Sequence, residues 1–152
     1  MRLDEFLNDK HVSFRRIQHE PVFTATRIAQ ALHIPGKEMA KCVLVRTDHG
    51  YVLAVLPATH RIDLTRLCEN LGENQAELAS EEEMQRLFPD CERGAMPPFG
   101  SLYDLTTMVD DSLALDKEIV FEGQDHEEAI CMTYEDYANV ERPRMGHFAC
   151  QM

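Results

Sequence analysis

The sequence predicts an α/β protein of the α+β type, in which helices pack on a mixed, barrel-like β-sheet. Helical and strand patterns alternate irregularly along the chain and hairpin links are frequent, which argues against a doubly wound parallel sheet. The most apolar stretch, Ala40–Pro57, holds two runs, Cys42–Val45 and Tyr51–Leu56, on either side of the turn Thr47–Gly50. Because these runs are rich in Val and Leu, they are typical of central strands that are covered on both faces.

The segments before this hairpin predict two helices and a strand. Leu3–Leu7 has the apolar spacing of a short amphipathic helix, and Val12–Ile17 predicts a short strand. Thr24–Ile34 predicts a helix that ends at Pro35, since proline does not continue a helix.

Two further helices begin at N-cap residues. Asp63 precedes a helix that ends at Gly72, and Ser80 forms a capping box with Glu83 for a helix that runs through Leu87. The remaining predicted elements are the strands Gln75–Leu78, Leu102–Met108, Glu118–Glu122 and Ala129–Thr133, a terminal helix from Thr133 to Val140, and a polar tail containing Pro143.

Length and composition predict one domain, residues 1–152. The chain has 152 residues, of which 44% are hydrophobic, enough for a core that needs neither disulfides nor a metal. Its five cysteines form no CxxC motif, and their odd number argues against a disulfide framework, so we expect a reducing, cytoplasmic setting. Since neither a run of about 18 apolar residues nor a signal-peptide apolar region is present, we expect no membrane partner.

The charge balance argues against general nucleic-acid binding. The chain has 15 Lys and Arg residues against 27 Asp and Glu residues, a formal net charge of −12. Phosphate contacts need clustered cations, so we expect no DNA partner, and contact with RNA only through a small local patch. Arg15, Arg16, Arg61 and Arg142 are either scattered surface cations or members of such a patch.

The common catalytic motifs are missing from the sequence. The chain lacks a Gly-rich phosphate fingerprint, a GxSxG elbow and an HExxH motif, and we expect no cofactor. His147 and Cys150 have a spacing seen at metal sites, but no second pair accompanies them, so we expect no metal. Cys42 is either a nucleophile whose pKa is lowered by the adjacent Lys41 or, in its apolar strand, a core thiol.

Two local features could carry chemistry. Lys41 lies at the mouth of the first strand of the hairpin, where a lysine must either reach water or meet an anion. Gly94–Gly100, with the sequence GAMPPFG, is a loop bracketed by glycines and stiffened by two prolines. Taken alone, Lys41 is typical of a solvated surface residue, and the loop is typical of a structural turn.

The order of these features resembles one known family. A helix ending near Pro35 is followed by the Lys41 strand and its hairpin, the segment RIDL, the GxxxP-F-G loop, and a late VF strand that leads to His126. From Thr24 to Tyr137 the chain is similar to the YbaK/ProX family, which includes the editing domain of bacterial prolyl-tRNA synthetases. The resemblance implies a barrel-like α/β fold and a cytoplasmic aminoacyl-tRNA deacylase that works in trans-editing without a metal or other cofactor.

The resemblance also implies the site residues and the partners. The family's lysine falls on Lys41, its GxxxP loop on Gly94–Pro98, and its histidine on His126. The implied substrate is the ester of a misacylated tRNA that carries a small amino acid, such as alanine or cysteine, on tRNA(Pro), and a synthetase is a further candidate partner. Candidates for binding the substrate, with core packing or helix capping as the alternative, are Phe23, Thr24, Met96, Pro98, Phe99 and Gly100.

These residue types suit ester hydrolysis on chemical grounds. An aminoacyl ester is already activated, so its hydrolysis needs a positioned water and a stabilised oxyanion more than a strong nucleophile. Gly94 lets the backbone approach the substrate and offer N–H donors, and Lys41 can place its ammonium on the terminal phosphate or on the ester. Proton transfer by the substrate's own ribose hydroxyl is a further implication of the resemblance.

Two other functions remain open at this point. The domain could be a catalytically inactive module that binds a synthetase or a small ligand, and the acidic composition favours this alternative. The protein could instead hydrolyse another small acyl ester, in which case its activity would not depend on the RNA. His126 could likewise be an ordinary polar loop residue.

Overall fold

The computed structural model describes residues 2–20, 27, 29, 30, 32 and 35–151, so the helix predicted at Thr24–Ile34 lies largely outside the described residues. In these ranges the helices are α1 (Leu3–Asp9), α2 (Leu64–Leu71), α3 (Glu81–Leu87) and α4 (Tyr134–Glu141). The strands are β1 (Arg15–Gln18), β2 (Ala40–Thr47), β3 (Gly50–Pro57), β4 (His60–Ile62), β5 (Ala76–Leu78), β6 (Thr106–Asp110), β7 (Glu118–Glu122), β8 (Glu128–Thr133), β9 (Arg144–Gly146) and β10 (Ala149–Gln151). None of the helices in the described ranges has the length and hydrophobicity of a membrane span.

The apolar stretch of the sequence forms the central hairpin. β2 and β3 pair antiparallel from Ala40 opposite Pro57 to Thr47 opposite Gly50, which confirms the predicted strands and turn. Gly50 has φ +125°, a backbone conformation that L side chains rarely adopt. Around this hairpin β5 pairs antiparallel with β2, whereas β3 with β6 and β6 with β9 pair parallel, so the five-stranded sheet is mixed.

Both faces of the central sheet are covered. On one face, Leu53 and Val55 of β3 pack into a core that also contains residues of α1, β7, β8 and α4. On the other face, Ala54 and Leu56 pack in a second cluster with Leu67 of α2. Alternating side chains of β3 therefore contribute to two cores, as its unbroken apolar run predicts.

The other strands form two smaller sheets. β1, β8 and β7 form a three-stranded antiparallel sheet, and β4 pairs with β10. A bridge between Met39 and Val120 joins the start of β2 to β7, so the two larger sheets meet at this point. Helices packed on a mixed set of strands confirm the α+β class, whereas the barrel-like form of the sheet stays a prediction.

Local signals predicted the helix ends correctly. At the N-cap of α2, the Asp63 carboxylate accepts a hydrogen bond from the Arg66 N–H, and Gly72 ends the helix with φ +73°. At α3, Ser80 and Glu83 form a capping box with both of its hydrogen bonds. These boundaries are predictable because each one depends on residues within a turn of the helix end.

Two strands begin later than the sequence predicts. The strand predicted at Leu102–Met108 begins at Thr106, because its first residues form a 3-10 turn at Gly100–Tyr103. Asp104 ends that turn in the left-handed conformation, with φ +58°. β1 likewise begins at Arg15, after the predicted start.

The tail predicted as polar contains two strands, β9 and β10. β9 pairs with β6, and β10 pairs with β4. The buried Asp110 carboxylate accepts hydrogen bonds from the N–H groups of Phe148 and Ala149 at 2.9 and 2.8 Å. Strands this short depend on tertiary pairing, which the sequence of the tail does not reveal.

Candidate active site

The chain after α3 turns sharply at Gly94. This residue is exposed and has φ +83°. Two backbone hydrogen bonds flank Gly94. Before it, the Glu92 N–H donates to the Gln124 carbonyl at 2.9 Å, and after it the Ala95 N–H donates to the Glu92 carbonyl at 3.0 Å. A Cβ atom at Gly94 would lie 3.8 Å from Cε1 of His126, so the turn rests on the imidazole. The structure therefore brings two of the predicted catalytic residues together.

His126 is buried and holds this turn. Its Nε2 lies 2.6 Å from the carbonyl oxygen of Arg93, and its Nδ1 lies 3.1 Å from Oε1 of Glu122. Because a carbonyl oxygen only accepts, Nε2 carries the hydrogen of the first contact. Both ring nitrogens are engaged within the protein, so this geometry lets His126 act on a ligand through the backbone that it holds.

The contact with His126 sets the direction of the Gly94 N–H. The Arg93–Gly94 peptide bond is trans, like every described peptide bond, so its C=O and N–H groups point in opposite directions. Since the Arg93 carbonyl faces His126, the Gly94 N–H points away from the imidazole. No acceptor for this N–H is found among the described residues. An exposed backbone donor of this kind is suited to an anion or to a developing oxyanion.

The pKa values of both Glu122 and His126 are raised. Burial raises the pKa of Glu122 to about 7, although the nearby imidazole opposes this shift. Burial alone would lower the pKa of His126, but the Arg93 carbonyl and the Glu122 carboxylate outweigh burial, so this pKa is raised. The charge of Glu92 contributes to both upward shifts, and the charge of Asp125 contributes to the shift of the Glu122 pKa.

Lys41 is the second residue of β2 and is half-buried, and burial lowers its pKa. It makes no hydrogen bond or ion pair with any residue in the described part of the chain. Two residues before it, Met39 bridges Val120 of β7. Directly after it, burial and then the charge of Glu122 raise the pKa of Cys42, which makes Cys42 a core thiol rather than a nucleophile. The chain on both sides of Lys41 thus lies close to β7.

The rest of the predicted loop is anchored in the core. Met96 and Phe99 are 5% and 0% exposed. The Phe99 ring packs edge-on against the Tyr137 ring, with 5.2 Å between centroids, and the Tyr137 hydroxyl donates to the Pro98 carbonyl at 2.8 Å. The described contacts of these residues hold the loop in place, and their predicted role in binding substrate stays a prediction.

Gly100 ends the loop where no side chain fits. Its N–H donates to Oγ1 of Thr107 at 2.8 Å, and the Thr107 hydroxyl donates to Glu141 at 2.6 Å. A Cβ atom at Gly100 would lie 2.5 Å from Thr107 Oγ1 and 2.8 Å from the Leu105 carbonyl oxygen. This close approach of backbone and side chain requires glycine. The predicted role of Gly100 in substrate binding is not tested by these contacts.

The predicted cations already have protein partners in part. Arg15 lies 3.7 Å from the carboxylate of Glu118 in β7, and Arg16 lies 2.8 Å from that of Glu128 in the neighbouring β8. Arg61 Nε lies 3.3 Å from Sγ of Cys150. Arg142 is exposed and follows α4 with φ +51°. A role for these residues in binding RNA stays a prediction.

One cluster in the described ranges could hold a metal ion. Asp110, Asp111 and His147 place ligand atoms within 4.8 Å of one another. The Asp110 carboxylate is already occupied, because it accepts hydrogen bonds from the backbone and hydroxyl of Ser112 and from the start of β10. His147 Nδ1 lies 3.1 Å from Asp111 Oδ1, so a hydrogen bond between these two accounts for the contact.

The site contains residues that the sequence analysis did not select. Glu122 binds His126, and Tyr137 holds the loop at Pro98. A glutamate four residues before a candidate histidine was the available signal for Glu122, whereas nothing in the sequence indicates Tyr137. Two predicted substrate-binding residues, Phe23 and Thr24, lie outside the described residues.

Comparison with known proteins identifies the family that this geometry belongs to. Residues 19–140 match the model of the aminoacyl-tRNA editing domain, so the chain belongs to this family. The match confirms the resemblance based on the Lys41 strand, the GxxxP loop and His126.

Two relatives and one solved structure are similar over most of their length. The multifunctional Ser/Thr-tRNA deacylase ProXp-y of Escherichia coli (strain K12) is 28% identical over 153 residues, which cover 97% of this chain and 90% of the relative. The prolyl-tRNA editing protein ProX of Acetoanaerobium sticklandii is 26% identical over 143 residues, which cover 88% and 85%. The crystal structure of a candidate trans-editing enzyme for prolyl-tRNA synthetase has a TM-score of 0.83 at 19% identity, over 97% of this chain and 94% of that one, and shares the fold.

Proposed function

We propose that this protein is an aminoacyl-tRNA deacylase, which hydrolyses the ester bond of misacylated tRNA in trans. The observation that carries the proposal is the N–H of the exposed residue Gly94, which has no described acceptor and is held in a fixed direction through His126. Membership in the aminoacyl-tRNA editing domain family supports it, as do the activities for which ProXp-y and ProX are named.

In the proposed reaction, water adds to the carbonyl carbon of the ester. The oxyanion that forms accepts a hydrogen bond from the Gly94 N–H. The bond between the carbonyl carbon and the ribose oxygen then breaks, which releases the free amino acid and the tRNA. The proton lost by the water passes to the ribose oxygen, with the neighbouring ribose hydroxyl as its carrier. The protein contributes position and charge stabilisation, which suffice for an activated ester.

Lys41 supplies the countercharge in this proposal. Its half-buried ammonium has no anionic partner among the described residues, so an RNA phosphate or the ester oxygen would satisfy it. A local cation matters here because the chain has a net charge of −12, which repels phosphate at longer range.

The substrate is a small amino acid on tRNA. Alanine and cysteine on tRNA(Pro) follow from the family resemblance, and serine and threonine are added because the relative ProXp-y is named for Ser/Thr-tRNA. A single barrel-like domain over residues 1–152, a cytoplasmic location and a synthetase partner complete the proposal.

A panel of misacylated tRNAs tests this function. Wild type should hydrolyse at least one of the Ala-, Cys-, Ser- and Thr-tRNAs, and Lys41→Ala should lower kcat/KM by about 10²-fold, a loss typical of a removed electrostatic contact. Lys37→Ala is the matched control, since this exposed lysine makes only a 4.0 Å contact with Asp116 among the described residues. It should hydrolyse the panel like wild type.

Each other outcome has a defined meaning. Equal deacylation rates for wild type and Lys41→Ala would support the deacylase function but contradict a role of Lys41 in its mechanism. If wild type is folded by circular dichroism but hydrolyses none of the misacylated tRNAs, the result would contradict the proposal and favour the binding module. Hydrolysis of a minimal aminoacyl-adenosine as fast as charged tRNA would indicate an esterase that does not depend on the RNA.

A further inference from the structure

We propose that Glu122 is a positioning residue of this site, which shares one proton with His126 and thereby fixes the direction of the Gly94 N–H. The catalytic consequence rests on the proposed deacylase function. The proton sharing itself can be measured without substrate, so the failure of one proposal is distinguishable from the failure of the other.

The pair is buried at the end of β7. The side chains of His126 and Glu122 are 5% and 10% exposed, and Nδ1 lies 3.1 Å from Oε1. Glu122 is the last residue of β7, and His126 lies four residues later, before β8 begins. The contact therefore closes the connection between these strands, while Nε2 of the same imidazole reaches the carbonyl of Arg93 in the other loop.

Counting hydrogens shows that this arrangement needs one proton on the pair in addition to the hydrogen on Nε2. The hydrogen on Nε2 is committed to the Arg93 carbonyl, which can only accept. The contact between Nδ1 and Glu122 then needs a second hydrogen, either on the imidazolium or on the carboxyl group. The pair as a whole is neutral in both forms, so the two groups titrate together.

Loss of the shared proton breaks one of the two contacts. If the remaining hydrogen stays on Nε2, the Nδ1 lone pair of His126 faces the carboxylate of Glu122. If it moves to Nδ1, the lone pair of Nε2 faces the carbonyl of Arg93. Either arrangement sets two acceptors against each other at hydrogen-bond distance, which is unfavourable in a buried site. The contact that orients the Gly94 peptide therefore depends on this proton.

The surrounding groups favour retention of the proton. Glu92 and Asp125 place negative charge near the pair. Cys42 of β2 faces it as a neutral thiol, since burial raises the pKa of that thiol. The guanidinium of Arg93 binds Glu81 at 3.0 Å, on the exposed side of the loop. The charges of Glu92 and Asp125 thus favour the protonated form of the pair.

Titration of His126 by NMR tests the proton sharing. With the ring nitrogens labelled and His126→Gln used for assignment, wild type should show Nε2 protonated as long as the shared proton is present. Its His126 pKa should lie at least about one unit above that in Glu122→Gln, a tenfold difference in proton affinity. Glu127→Gln is the matched control, because it removes an exposed carboxylate next to His126. Its His126 should titrate as in wild type.

Two NMR results would overturn the proposal. One is the same His126 titration in wild type and in Glu122→Gln. The other, which needs no variant, is a wild-type His126 that is already neutral below pH 7 with its hydrogen on Nδ1 and a bare Nε2, because that form leaves no hydrogen for the contact with the Arg93 carbonyl.

The pH profile of kcat/KM tests the catalytic consequence. In Glu122→Gln the amide N–H can donate to a neutral Nδ1, so the contact with Arg93 needs no shared proton. The wild-type kcat/KM should decline as the pH rises and the shared proton is lost. Glu122→Gln should keep activity within about threefold of wild type at neutral pH and should not show this alkaline decline. Glu122→Ala should lose at least about tenfold at every pH. A wild-type profile in Glu122→Ala would contradict the positioning role.

Discussion

Replacement of Gly94 by alanine tests the geometry of the site most directly. Gly94 has φ +83°, whereas an L residue in the left-handed region prefers about +57°. An alanine would therefore relax by roughly 25° about this bond and rotate the preceding peptide with it. The added Cβ causes no clash, since its closest described contact is 3.8 Å from Cε1 of His126. The substitution thus changes the direction of one N–H and leaves the packing intact.

The expected effects on stability and on activity are of different size. Placing an L residue in the left-handed region costs about 1–2 kcal/mol, and the lower entropy of the unfolded alanine chain offsets about half of this cost. For a chain of this length, the resulting loss of about 1 kcal/mol lowers Tm by about 2–4 °C. Misdirection of the N–H should lower kcat/KM by about tenfold or more, towards the 10²–10³-fold effect of deleting an oxyanion donor.

Gly72→Ala is the matched control. Gly72 has φ +73°, and a Cβ there would meet nothing within 4 Å, so the same strain is introduced away from the site. Thermal unfolding followed by circular dichroism should give similar Tm losses for the two variants, and deacylation should separate them. The mechanism is refuted if Gly94→Ala and Gly72→Ala deacylate the same tRNA at the same rate.

Two further predictions concern stability. Tyr137→Phe removes the described donor to the buried Pro98 carbonyl and should lower the free energy of unfolding, measured with denaturant, by about 1–3 kcal/mol. The control Tyr134→Phe should cost little, because the Tyr134 hydroxyl has no described hydrogen bond. Equal costs in the two variants would contradict the role of the contact with Pro98. The backbone N–H at the N-cap of α3 and then a tyrosine hydroxyl lower the pKa of Glu83 from 4.5 to about 2, so the stability it contributes is present above pH 4.5 and is lost as pH falls towards 2. Glu83→Gln should therefore have a lower Tm than the control Glu82→Gln at pH 7, and a difference that persists at pH 2 would count against this assignment.

Structural features that depend on residues within a few positions of one another were predictable from the sequence. The hairpin followed from two apolar runs and a turn, and the ends of α2 and α3 followed from Asp63, Gly72 and the Ser80 capping box. These features are local, because a cap or a tight turn satisfies backbone groups of the adjacent residues. The family resemblance followed from Lys41 and the Gly94–Pro98 loop, whose spacing along the chain is part of the sequence.

The strands of the tail were not predictable. β9 and β10 contain three residues each, and each pairs with a strand that is distant in the chain. Such short segments have little intrinsic preference for a strand, so pairing with a partner decides their conformation. The turn at Gly100–Tyr103 was missed for a similar reason, because it depends on the hydrogen bond from Gly100 to Thr107.

The hydrogen bonds that shape the site join residues that are far apart in the sequence. His126 reaches the carbonyl of a residue 33 positions earlier, and Tyr137 reaches Pro98 across 39 positions. A sequence shows that a histidine and a glycine loop are present, but packing decides which ring nitrogen meets which carbonyl. That choice makes His126 a residue that orients a peptide. The sequence by itself thus determines which residue types are present. The direction of the Gly94 N–H and the burial of Glu122 are decided by the tertiary structure, in which the β7–β8 connection packs against the loop at Gly94.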